Sequence, residues 1–119
     1  MRRVVITGIG IVSCIGNNKK EVLDSLLNTK SGIVFSEEHK KYNFRSHVVG
    51  NIKNLNFSDH IDRKQLRFMG DGSAYNFIAL KEAIEESGLK EKDISNEKTG
   101  IVMGSGGPSI KNVYYAVDT

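Results

Sequence analysis

Apolar residues fall in short runs and helical stripes separated by polar, glycine-bearing stretches, an alternation that predicts strands and helices in turn. Val4-Val5-Ile6-Thr7 is a near-continuous β-branched run, the pattern of a strand covered on both faces as in a parallel sheet. It leads into Gly8-Ile9-Gly10, which predicts a tight turn at the strand's C-terminal end, and Ile11 and Val12 keep that turn inside the protein. Asn18 with Glu21 three residues later resembles a capping box, and Val22, Leu23, Leu26 and Leu27 follow at helical spacing. A helix is expected from Lys19 to Asn28.

Ile33-Val34-Phe35 reads as a short strand or buried extended segment, followed by a polar stretch from Ser36 to Asn43 and another extended piece from Ser46 to Ile52. Asn54 to His60 is loop-like. Asp62 is placed to cap a helix over Arg63-Lys64-Gln65-Leu66-Arg67-Phe68-Met69. Phe77, Leu80, Ala83 and Ile84 form a helical stripe that Gly88 should stop. Ile101-Val102-Met103 then closes on Gly104-Ser105-Gly106-Gly107, a second apolar run ending in glycines. The predicted fold class is α/β, with helices layered on a mostly parallel sheet. Beyond Pro108, residues 110–119 carry apolar residues at helix-like spacing and stop without a terminating glycine or charged tail, so the chain reads as cut in the middle of a fold.

The 119 residues are 39% hydrophobic and 26% charged, the profile of one soluble globular domain or part of one. No apolar run approaches the roughly 20 residues that span a bilayer, and Met1-Arg2-Arg3 leads straight into a strand rather than a signal-peptide core; a cytoplasmic setting is expected. Seventeen basic residues against 14 acidic leave a net charge of +3, too small a bias for a nucleic-acid footprint but compatible with an acidic partner. Cys14 is the single cysteine, and His39, His47 and His60 are scattered without zinc-type spacing, so neither an internal disulfide nor a metal site is expected.

Four chemistries can be weighed on the residues. Gly8-Ile9-Gly10 begins a dinucleotide fingerprint and Glu37 follows a later extended run, but Ser13 stands at the third glycine position. The helix that should meet a pyrophosphate also starts several residues late. Cys14 is the only thiol and has no histidine within 24 residues in sequence, so a small buried apolar role is the plainer reading. Ser105 has one of the two glycines that a nucleophile elbow requires. Arg63, Lys64 and Arg67 stand in the first turns after an Asp62 cap, where the helix dipole disfavours cations, yet all three can share one face. An anion dock and a solvated face with no partner both fit that cluster.

Residues 1–13, Ile15-Gly16-Asn17-Asn18, Ser31-Gly32-Ile33, Arg45-Ser46-His47-Val48, Ile61-Asp62-Arg63-Lys64, Arg67-Phe68-Met69 and Gly104-Ser105-Gly106-Gly107 together resemble the N-terminal part of the β-ketoacyl-acyl carrier protein synthase family, over nearly all 119 residues. The resemblance implies a thiolase-like layered α/β/α fold, of which residues 1–119 would be an incomplete N-terminal portion. It further implies a homodimer without cofactor and decarboxylative Claisen condensation of malonyl-carrier protein onto an acyl thioester. That chemistry needs a cysteine nucleophile and two histidines, and none of the family's catalytic positions falls on this chain, so the chain alone should be inactive. Residue by residue, Arg63, Lys64 and Arg67 match positions that dock the acidic acyl carrier protein, and Gly107 matches one lining the far end of the acyl pocket. Pro108 departs from the glycine expected there, which leaves chain-length preference open. Two further readings stand beside this one: a non-catalytic remnant that only docks the carrier, and a nucleotide-binding module.

Overall fold

A computed structural model describes residues 3–118; Met1, Arg2 and Thr119 lie outside them. Helix α1 (Lys19–Leu27) is capped as its sequence indicates, with the Glu21 amide donating to Oδ1 of Asn18 at 3.0 Å. Strands β1 (Ile33–Phe35) and β2 (Val48–Gly50) form an antiparallel pair in the register Ile33 to Gly50, Val34 to Val49 and Phe35 to Val48. Helix α2 (Glu37–Lys41) fills the segment expected to be merely polar. Its signals were present: Ser36 accepts from the His39 amide, glutamates open the turn, and lysines close it.

A 3₁₀ turn (Phe57–Asp59) precedes α3 (Arg63–Leu66) and the long helix α4 (Asp71–Ser87). Gly88 ends α4 with φ +68°, the left-handed cap that glycine adopts without strain. Short α5 (Glu91–Ile94) and α6 (Ile110–Val117) complete the described elements, and α6 falls where the apolar spacing had indicated. The core is small. Ile61, Ala74 and Ile78 are buried, and Val12, Leu55, Phe57, Leu66, Met69 and Phe77 pack around them.

The expected parallel sheet is not observed, because neither Val4–Thr7 nor Ile101–Met103 has a strand to pair with among the described residues. The two runs carry no regular structure and are bare: Val4 is 94% exposed and Val102 98%. The only sheet described is the β1-β2 pair. A ladder exists only where a second backbone supplies donors and acceptors, and here segment 8–11 lies against helix α4 instead. Gly8 and Gly10 do not turn the chain. A Cβ at Gly8 would stand 2.0 Å from the Ala83 carbonyl oxygen, and one at Gly10 only 1.7 Å from that of Ala79, so both glycines serve close approach to the helix. The tight turn comes later, where the Ser13 and Gly16 backbones exchange bonds of 2.8 and 3.2 Å.

The shape is correspondingly open, with a radius of gyration of 17.4 Å against the roughly 13.5 Å of a globular domain this long. Among the described residues, no helix is long and apolar enough to cross a membrane.

Candidate functional site

The cationic face is built from the core outward. Ile61 is buried, and Leu66 and Met69 pack on the same cluster, pinning α3 from below. Asp62 accepts the Lys64 amide at 2.7 Å and so starts the helix as expected. The helix is shorter than its sequence suggested: it stops at Leu66, and the Phe68 and Met69 amides reach back only three residues, each at 3.1 Å. A single turn has little macrodipole, so the positive potential here belongs to the side chains themselves.

Arg63, Lys64 and Arg67 are all exposed. The ion pairs found among the described residues are Lys19 with Glu86 and Lys30 with Asp24, and neither involves this trio. Arg67 reaches across Phe68, its guanidinium carbon 5.9 Å from the ring centre. Phe68 itself is 84% exposed, an apolar ring presented beside three cations.

Phe68 also forms one wall of a cleft of about 710 Å³ between the start of α4 and the start of α6. Gly107 and Pro108 line the same cleft, together with Ser73, Asn76, Ser109 and Asn112. The structure thus brings the cationic cluster and Gly107 to one region through a residue whose role the sequence did not reveal. A Cβ at Gly107 would meet nothing within 4 Å. Ser105 is engaged in the local turn: its hydroxyl donates to the Gly107 carbonyl at 2.7 Å and accepts the Gly107 amide at 3.4 Å. Tyr75, one turn into α4, packs against Phe57 at 5.3 Å between ring centres. Burial, and secondarily the negative charge of Asp71, pushes its hydroxyl pKa upward.

The other candidates have structural work. Cys14 sits half-buried behind the hairpin, its sulfur 2.7 Å from where a Cβ on Gly32 would stand and 3.1 Å from one on Gly50. The cavity beside it is lined by no histidine. His39 packs on Phe44 at 4.9 Å and His47 edge-on to Phe35 at 5.9 Å. No cluster of metal-ligating side chains occurs among the described residues. Gly8 and Gly10 are occupied by α4, and α1 begins at Lys19, so no helix end meets the glycines of the partial dinucleotide fingerprint.

Comparison with known proteins agrees with the resemblance. The family described as "Beta-ketoacyl synthase, N-terminal domain" matches residues 1–117. A 3-oxoacyl-[acyl-carrier-protein] synthase 1 of Haemophilus influenzae is 56% identical over 99% of this chain, and one of Escherichia coli is 49% identical over 99%. A 3-oxoacyl-[acyl-carrier-protein] synthase 2 of Staphylococcus aureus is 35% identical over 88%. The chain spans 29% of the length of the first two relatives and 25% of the third. With nearly all of its residues matched by that N-terminal domain, the chain belongs to the beta-ketoacyl synthase family.

Proposed function

We propose that this chain contributes the N-terminal part of a condensing enzyme that elongates fatty acyl chains from malonyl and acyl groups held on acyl carrier protein. The observation that carries the reading is the 56% and 49% identity, across 99% of the chain, to two 3-oxoacyl-[acyl-carrier-protein] synthases. In this reading residues 1–119 are an incomplete portion of a thiolase-like layered α/β/α domain. The bare runs at Val4 and Val102 would then be strands of its sheet. The whole enzyme would be a cytoplasmic homodimer.

Arg63, Lys64 and Arg67 take the role of carrier dock. Exposed cations with no acidic partner among the described residues, and with Phe68 beside them, suit an acidic protein that delivers its cargo to the neighbouring cleft. Gly107 takes the role of acyl-pocket lining. Cys14 is packed behind the hairpin, so bond making is assigned to residues other than those on this chain. The non-catalytic docking remnant is the second reading, and the same exposed cluster favours it.

Titration of the chain with acyl carrier protein tests the dock. Saturable binding that weakens as salt rises from 50 to 500 mM, and that Arg63→Glu with Arg67→Glu abolishes, is the expected result. Binding indifferent to both salt and the substitutions would overturn the assignment.

A further inference from the structure

Helix α4 holds the segment after the first apolar run by an arrangement that neither the family nor the docking reading requires. Along α4, Glu82 and Glu86 are one turn apart on one face, a rise of about 6 Å. Along an extended chain, Ile9 and Ile11 are separated by about 6.6 Å, so two carboxylates can serve two alternate amides. They do so in antiparallel order: the Ile9 amide donates to Glu86 at 2.7 Å, and the Ile11 amide to Oε2 of Glu82 at 2.9 Å. The second oxygen of Glu82 accepts the Lys19 amide, the first of α1, at 2.8 Å. Lys19 also pairs through its ammonium group with Glu86.

We propose that Glu82 and Glu86 form a carboxylate register lock, a conformational device that fixes segment 8–11 and the start of α1 on one helix. The carboxylates take the place of a neighbouring strand's carbonyls on that side of the segment. Gly8 and Gly10 set the same register by sterics, since a one-residue slip would drive the Ile9 side chain into the carbonyls of Ala79 and Ala83. Both glutamates join the same three elements, and Glu82 does so through two backbone amides where Glu86 uses one amide and one ammonium group.

Amide hydrogen exchange on the full chain reads the lock bond by bond. Glu82→Ala should speed exchange at Ile11 and Lys19 at least about tenfold while sparing Val34 and Val49 in the hairpin, as loss of a bond to a charged acceptor would. Glu86→Ala should act at Ile9 instead. Glu82→Gln keeps a single carbonyl oxygen, so it should spare one of the two Glu82 amides and open the other. The proposal is overturned if these amides are unprotected in the unsubstituted chain, if the substitutions leave their exchange unchanged, or if exchange rises uniformly through the hairpin.

Discussion

Glycine positions in this chain divide into those pressed against backbone and those facing open space, and the difference sets the sign of a substitution. Gly10→Ala places a methyl where the Ala79 carbonyl already sits, so stability should fall by about 1–3 kcal/mol. Gly72→Ala, in α4 with nothing within 4 Å of a new Cβ, should instead gain up to about 1 kcal/mol from helix propensity. Urea midpoints of the two variants, on opposite sides of the unsubstituted chain, check this. A second residue-scale expectation concerns charge. The Lys30 ammonium, hydrogen-bonded to Asp24 at 2.6 Å, holds the Asp24 carboxyl below its ordinary range by that bond and by attraction. A lowered folded pKa stabilises above the ordinary aspartate value and is lost as pH falls through the folded value. Lys30→Met should therefore raise the Asp24 titration midpoint in carboxyl-detected NMR, and an unmoved midpoint would dissociate the pair. From sequence, Gly8 and Gly10 were visible as special but were read as a turn, because only the contact with Ala79 and Ala83 distinguishes close approach from a bend.

Elements whose signals are local were legible. Asn18 and Glu21 announced α1, Gly88 ended α4, and Asp62 capped α3. Asp62→Ala should cost about 1 kcal/mol and fray the turn that carries Arg63, Lys64 and Arg67. A drop in both thermal midpoint and carrier affinity is expected, larger in affinity if the cap positions the cations. Gly88→Ala meets a φ of +68° and should cost a similar ~1 kcal/mol with no effect on carrier affinity. Where an element depends on partners far along the chain, sequence alone was not enough. Val4–Thr7 and Ile101–Met103 have the composition of strands, but a ladder needs a neighbour, and composition carries no information about whether one is present. The length of α3 was overestimated: the stripe continues past Leu66, but the regular helix ends there and the Phe68 and Met69 amides reach back only three residues.

At the scale of the whole molecule, the fold is wide and sparsely filled. Val4, Ile6, Ile101, Val102 and the large apolar residues of α6 are all exposed, and exposed apolar surface of this kind favours association. Sedimentation over a concentration series should show association that grows with concentration; a single monomeric species throughout would mean that these faces close on each other in solution. The three cations on one turn were legible in sequence and are exposed in the fold, while their role as a carrier dock is the proposal that the resemblance suggested. That Phe68 beside them and Gly107 line one cleft was not legible, since the starts of α4 and α6 come together only in the fold.

We propose that this chain offers a face to the acyl carrier but lacks the groups that make the carbon–carbon bond. The most direct measurement is carbon dioxide release from malonyl-acyl carrier protein in the presence of an acyl-carrier substrate, with the purified chain as the only catalyst and a full-length relative as positive control. No release above the uncatalysed background is the predicted result. Sustained release by the chain alone, with formation of the β-ketoacyl product, would contradict the account.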